Sequence, residues 1–561
     1  MEIQPWNGQM DPEVPRSIDY PKISMYEMLA QAAERNPNGI ATLFFGAKIR
    51  YSELLRMVDR FADSLAELGV RKGDRVAIIL PNIPAYPIAH FAALKLGAVL
   101  VPTNPLYVER ELAHQLSNAG AETAIVYDKL LPKLEAIRSQ TSVKRVIVAG
   151  LREFLPPVLG LLFGLKDKST LRLDGSKGQV SFRAMLEGNA PSAPSVTVSP
   201  EDTAILLYTG GTTGVSKGAV LTHRNILVNV YQTRHWLWKT GDKQEVLLCV
   251  LPFFHSYGMT TGLHLSVVLA STMLLLPRFD LNDVVKRIRK HKPTVFCGVP
   301  SMYNAVNNHP KATPENVGSI RFCLSGGSGL PMEVQKAFEA LTGASLVEGF
   351  GLSEASPVTH VNPIVGKRKI GTIGLPVSDT DSMIVDPETR KPLAAGQEGE
   401  LAVKGPQVMK GYWNMPDETA AVLQDGWLYT GDIAVMDEEG FFRIVDRKKD
   451  LIISAGMNVY PREVEEVLYQ HPKVSEAAVV GIPSAVRDEV VKAFIVAKPG
   501  QTLTRGELLQ FCRDKLAKFK VPKEIELRDS LPKSAAGKIL KRVLRDEELN
   551  KRPSKEKKPE E

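Results

Sequence analysis

Short apolar runs alternate with segments of helical period through most of the chain, and that alternation leaves few folds open. Val76 to Leu80 is a continuous apolar run closed by Pro81, the length of a buried strand. A helical pattern follows from Tyr86 to Leu96 and stops at Gly97, and Ala98 to Val101 supplies the next strand. Upstream, Ser52 stands as a helix cap before Leu54, Leu55, Val58, Phe61, Leu65 and Leu68, with Gly69 as the stop. The pattern returns in the strands Thr294 to Val299 and Ile320 to Leu324, the helix Glu333 to Leu341, and the strand Ser345 to Val347. Strands separated by helices predict parallel sheets with crossover connections, an α/β chain.

Near Asp446 the units shorten. Pro461 opens a helix with Val464, Val467 and Leu468 inward, and Ala477 to Ile482 and Val490 to Val496 read as strands. Thr504 and Glu507 form a T-x-x-E capping box for a helix through Leu508, Leu509, Cys512 and Leu516. This predicts a compact α+β unit of about 100 residues. The run Asp446-Arg447-Lys448-Lys449-Asp450 joins it to the rest, and taken alone reads as a solvated turn. Phe154 to Leu165 is apolar but interrupted by Pro156 and Pro157. Burial is the favoured reading, an interfacial position the alternative. Nothing approaches the ~20 apolar residues of a membrane span.

With 561 residues there is room for several domains, and 44% hydrophobic against 24% charged content is ordinary for a globular protein. Disorder, collagen and coiled coil are excluded as the main architecture. The four cysteines form no CxxC pair, which argues against a zinc ribbon or disulfide framework and fits a reducing compartment. No signal-peptide pattern is visible at the N-terminus. A net charge of +7 suits anionic ligands. No basic run is interleaved with aromatics in the folded part, so nucleic acid is not expected as a partner.

The most informative segment is Tyr208 to Ala219, YTGGTTGVSKGA, after the apolar run Ala204 to Leu207. Gly210, Gly211 and Gly214 let the backbone bend and approach a ligand closely. Thr209, Thr212, Thr213 and Ser216 add hydroxyls, and Lys217 a mobile positive charge. Such a loop suits phosphate oxygens; a purely structural turn is the bland alternative. It is not a Walker A loop, which needs Ser or Thr after its lysine, because Gly218 follows Lys217.

This segment resembles the signature of the adenylate-forming superfamily: acyl-CoA synthetases, luciferase and peptide-synthetase adenylation domains. Gly210 stands where Ser is usual and Ser216 where Pro is usual. The resemblance continues in order along most of the chain. Ser325-Gly326-Gly327-Ser328 is similar to the adenine-side loop, with Gly327 and Ser328 beside the base. Gly349-Phe350-Gly351-Leu352-Ser353-Glu354 resembles the next motif. There Phe350 would stack on adenine between Gly349 and Gly351, Ser353 would bond the α-phosphate and Glu354 would hold Mg²⁺. Trp427 to Asp432 resembles the ribose segment, with Asp432 and Arg447 as ribose contacts. Lys449 falls at the hinge, Ser454 and Gly456 where coenzyme A passes, and Lys538 in PKSAAGK where the catalytic lysine of adenylation stands. His255 in PFFHSYG fits the histidine bordering the carboxylate site. Met259, Val299, Gly326 and Gly349 are the expected acyl pocket.

The resemblance implies a large N-terminal domain (1–446) of doubly wound βα sheets with a β-rich subdomain. A small mobile α+β C-terminal domain (447–548) and a disordered tail (549–561) would follow. It implies activation of a carboxylic acid by ATP with Mg²⁺, then transfer to coenzyme A, in the cytoplasm or peripherally on the inner face of the membrane. YTGGTTG, GFGLSEASPVTHVNP, KGPQVMKGYWN and DRKKDLIISAGMNVYP are most similar to bacterial long-chain fatty acid–CoA ligases. A medium-chain or arylpropanoate ligase, or an adenylate ligase loading a carrier protein, are the alternatives. Oligomeric state is not legible.

Overall fold

The computed structural model describes residues 5–166, 173–188, 190–209, 216–237, 245–447, 450–454, 457–484 and 488–551. A nine-stranded sheet has a parallel centre running Ser345–Gly351, Phe322–Ser325, Val295–Gly298, Val246–Cys249, Thr272–Leu275 and Ile40–Phe44. A seven-stranded sheet runs Gln179–Ser181, Arg145–Ala149, Thr123–Tyr127, Arg75–Ile79, Val99–Pro102 and Thr203–Thr209, all parallel, before the antiparallel Lys217–Thr222. Buried apolar strands such as Val76 to Ile79 explain why these segments read as continuous hydrophobic runs. The helix Ala85–Lys95 is buried all round, which is why its pattern lacks a polar stripe.

Each large sheet reverses its winding at one strand. Val246–Cys249 lies between the two parallel strands that follow it, Thr272–Leu275 and Val295–Gly298. Arg75–Ile79 likewise lies between Val99–Pro102 and Thr123–Tyr127. Clefts that receive ligands form at the carboxyl ends of such strands.

A third, antiparallel sheet of five strands contains Glu398–Lys404, Trp427–Met436 and Phe442–Arg447, the expected β-rich subdomain. The C-terminal sheet, also five-stranded, is built on the hairpin Val474–Ser484 and Asp488–Ala497 and carries the helices Pro461–Tyr469 and Arg505–Arg513. It packs its own core around Val464, Leu468, Val479, Ala493 and Leu508.

Four local expectations need correction. The helix Tyr51–Glu67 starts before Ser52, because the buried Tyr51 anchors its first turn by donating its hydroxyl to Ser271 O at 2.7 Å. Its end is closed by Glu53, whose carboxylate accepts from Arg50 N at 2.8 Å. At Thr504 half of the capping box forms: Thr504 Oγ1 accepts from Glu507 N at 3.2 Å, while the Glu507 carboxylate turns to Lys473 at 2.8 Å. The helix Pro157–Lys166 is not buried: Val158, Leu161 and Leu162 are 71%, 63% and 53% exposed. The last helix, Lys541–Lys551, extends past the expected start of the tail at 549, carried by contacts of Glu548 with Lys492 at 2.7 Å and Lys551 at 2.8 Å.

Candidate active site

Asn82 joins the carboxyl ends of the two winding-reversal strands. It follows Arg75–Ile79 and donates from Nδ2 to Cys249 O at 3.1 Å and Leu251 O at 2.8 Å, while its Oδ1 accepts from Phe253 N at 2.9 Å. These bonds shape the turn after Val246–Cys249, the turn that carries His255. Gly258 completes it, since a Cβ there would lie 2.3 Å from Pro252 O. His255 opens the helical stretch that continues as one wide π-type turn, Met259–His264. His255 is solvent-exposed, with protein densely packed around it. Enclosure first, and the Lys538 ammonium second, hold its imidazole down to about 4.

Ser256 Oγ meets Ser353 Oγ at 3.1 Å, bringing the His255 turn against the Ser353–Glu354 segment. That segment follows Ser345–Gly351, again at the carboxyl end of a parallel strand. Met409 N donates to Glu354 O at 2.8 Å, and Tyr412 donates its hydroxyl to Glu354 Oε1 at 2.8 Å. Thr209 and Lys217 are register partners at the mouth of the glycine-rich hairpin. Lys217 is 8% exposed, is paired with Glu418 and lies 5.3 Å from the Tyr412 ring centre. The other expected phosphate residues, Gly210, Gly211, Thr212, Thr213 and Gly214, lie outside the described residues.

Gly326, Gly327 and Ser328 follow the strand Phe322–Ser325, with Gly326 N donating to Gly298 O at 3.1 Å. Tyr257 packs against Gly326 and donates to Leu324 O at 2.5 Å. Met259 and Val299 are 3% and 2% exposed, and a Cβ on Gly327 would touch Val299. Gly349 faces Leu324, and the Phe350 ring stands edge-on to His360 at 6.1 Å, with Gly351 next in line. Asp432 and Arg447 are directly opposed on adjacent strands.

Lys538 comes from the C-terminal domain, and its loop is seated on the N-terminal one: Ser301 Oγ donates to Gly537 O at 2.9 Å. A second contact is the Arg462 guanidinium, 3.1 Å from the buried Glu348. Ser454 is not part of this convergence; its strand neighbours are Met457 and Asp488 within the C-terminal sheet. Lys449, Gly456 and the Arg447 side chain lie outside the described residues. The sequence reading assigned no role to Asn82, Tyr412 or Glu418. Tyr412 stood inside the quoted stretch KGPQVMKGYWN, and only the fold reveals its neighbours.

A family model described as AMP-binding enzyme matches residues 29–413, and one described as AMP-binding enzyme C-terminal domain matches residues 463–538. The chain belongs to the AMP-binding enzyme family. Within it, the chain is 44% identical over 549 residues to the long-chain-fatty-acid–CoA ligase of Bacillus subtilis, covering 97% of this chain and 98% of that protein. It is 41% identical over 559 residues to the enzyme of the same name from Escherichia coli O157:H7, with 97% and 98% covered. Among solved structures, ATP-bound MatB from Rhodopseudomonas palustris superposes with a TM-score of 0.82 at 30% identity, over 94% of this chain and 99% of that one. The match to a family fold of a large AMP-binding domain followed by a small C-terminal domain agrees with the four sheets described above.

Proposed function

We propose that this AMP-binding enzyme is a long-chain fatty acid–CoA ligase. It joins a fatty carboxylate to the α-phosphate of ATP, releases pyrophosphate, and passes the acyl group from AMP to the thiol of coenzyme A. The observation that carries the reading is the seating of the Lys538 loop, from the C-terminal domain, on Ser301 of the N-terminal domain, where the cleft carries the His255 turn against Ser353 and Glu354. The near-full-length likeness to the Bacillus subtilis ligase supports the acyl substrate.

A carboxylate is a poor acyl donor because its oxygen leaves badly; as a mixed anhydride with AMP it has a good leaving group. The work is mainly positioning and charge neutralisation. The Lys538 ammonium faces the oxygens on which charge gathers as the carboxylate attacks. Lys217, with Thr209 to Gly214, holds the leaving pyrophosphate. Ser353 donates to the α-phosphate, Phe350 and Gly327-Ser328 bound the adenine, and Asp432 with Arg447 takes the ribose. His255, neutral at physiological pH, leaves the carboxylate its negative charge at the pocket entrance, whose walls are Met259, Val299, Gly326 and Gly349. Among the described residues no cluster of three His, Cys, Asp or Glu side chains forms a metal cage. The single carboxylate of Glu354, with one oxygen engaged by Tyr412, fits a Mg²⁺ ion shared with phosphate oxygens. Bound there, Mg²⁺ neutralises phosphate charge.

The thioester step needs other residues at the same place. Rotation of the 447–548 domain about Lys449 withdraws Lys538 and brings the Ser454–Gly456 segment to the acyl-adenylate, a hinge motion. The enzyme works in the cytoplasm and touches the membrane surface through the exposed helix Pro157–Lys166, from which its substrate is collected.

The test is AMP release with ATP, Mg²⁺ and palmitate, with and without coenzyme A, against octanoate and 4-coumarate. CoA-dependent turnover strongest on palmitate is expected. Turnover confined to the smaller acids would overturn the substrate, and CoA-independent release would indicate another acceptor.

A further inference from the structure

The structure assigns Tyr412 a positioning role: it fixes the distance and direction between Lys217 and Glu354 at the triphosphate end of the site. The inference rests on the function proposed above and adds a residue that no sequence motif had given a task.

Lys217 and Glu354 reach the site from different sheets, so something must hold them in register. Tyr412 touches both. Its hydroxyl donates to Glu354 Oε1 at 2.8 Å, and its ring carries the Lys217 ammonium 5.3 Å from its centre. The backbone around Tyr412 is clamped to both partners. Lys410 N donates to Val220 O at 3.0 Å, Val220 N to Gly411 O at 2.9 Å, and Trp413 N to Gly218 O at 2.8 Å. The segment thus pairs antiparallel alongside the Lys217–Thr222 strand, with Tyr412 bridged to Ala219. On its other side Met409 N donates to Glu354 O at 2.8 Å.

A third attachment comes from the helix Pro416–Val422. Thr419 Oγ1 accepts from Tyr412 N at 2.8 Å, and the neighbouring Glu418 pairs with Lys217. Gly411 allows this approach: at φ +148°, a Cβ there would lie 2.7 Å from Thr419 Cγ2. Lys217, 8% exposed, therefore has its counter-charge and its ring platform from one short stretch of chain. With Oε1 of Glu354 taken by the Tyr412 hydroxyl, the second carboxylate oxygen is left for a phosphate-bound cation.

The test compares Tyr412→Phe, Tyr412→Leu and Glu354→Ala with the wild-type full chain, each first checked for an unchanged thermal transition. Mn²⁺ uptake in the presence of ATP is read from the electron paramagnetic resonance signal of the free ion. ATP affinity without divalent metal is read from a fluorescent ATP analogue. Tyr412→Phe keeps the ring and should weaken Mn²⁺ uptake about three- to tenfold, the scale of one lost hydrogen bond, with metal-free ATP affinity within about twofold of wild type. Tyr412→Leu, which removes the platform beneath Lys217, should weaken both. Unchanged or tighter Mn²⁺ uptake by Tyr412→Phe, with Glu354→Ala defective, overturns the positioning role alone. If Glu354→Ala also binds Mn²⁺ and ATP normally, the assignment of Glu354 fails and takes this inference with it.

Discussion

A histidine enclosed by protein and under the field of a lysine ammonium does not titrate where histidines usually do. His255 is held down to about 4 by enclosure and then by Lys538. Both causes disfavour the charged ring. Its imidazole should therefore stay neutral from about pH 5.5 to 8 in an NMR titration. Removing the like charge with Lys538→Ala should move its pKa upward. An unmoved value would mean that the two side chains do not meet in solution. At this scale the sequence was most informative where chemistry is written into residue type. Lys217 reads as a phosphate-binding charge from the glycines and hydroxyls around it, whereas Glu354, Asp432 and Lys538 take their expected roles from the family resemblance alone. Asn82 is not legible, because its task is to bond Cys249, Leu251 and Phe253, more than a hundred residues away in sequence.

Single elements were legible where one period dominates. The buried strands and the buried helix Ala85–Lys95 are continuous apolar runs, and the structure puts the strand Arg75–Ile79 at the centre of its sheet. Pro157–Lys166 has the same apolar character, but ten residues do not record whether anything packs over them. Its exposure is the reason to expect membrane contact. Replacing Val158, Leu161 and Leu162 by Ser should abolish sedimentation with anionic vesicles and leave the melting temperature within a few degrees, because exposed side chains contribute little to the fold. Retained binding would remove this helix from the membrane contact. Other elements bury neutral histidines: His223 opens the helix His223–Trp236, His264 closes the π-type turn, and His360 lies in the strand Val358–Val361. Burial lowers their pKa values to about 4, 3 and 3. The unfolded chain binds protons at these sites below about pH 6.5 and the native chain does not. Their contribution is therefore complete above pH 6.5 and falls by roughly 1.4 kcal/mol per pH unit per histidine as pH drops toward the native values. Urea midpoints should decline steeply from pH 6.5 to 5. A flat profile over that range would contradict neutral burial.

For the whole molecule the question is which arrangement of the two domains the chain favours. Arg462 ties them together. Its guanidinium reaches Glu348 at 3.1 Å and Glu466 at 3.3 Å, and its backbone N donates to Asp446 at 3.0 Å. Glu348 is 4% exposed, and burial pushes its pKa upward against the pull of Arg462. Arg462→Ala leaves that carboxylate buried without its cation, a loss of about 3–5 kcal/mol for this arrangement. It should slow acyl-adenylate formation more than thioester formation, as measured for each half-reaction separately. Equal slowing would make the pair a general stabiliser instead. None of this was legible beforehand, because Arg462 and Glu348 fall just outside the motifs read from the sequence and meet only through the fold. The most direct measurement of the central claim is single-turnover analysis of Lys538→Ala with ATP and palmitate, alongside its reaction of pre-made palmitoyl-adenylate with coenzyme A. The account predicts a loss of about 10²–10³-fold in adenylate formation with the thioester step largely intact. Equal loss in both half-reactions, or normal adenylate formation, would contradict it.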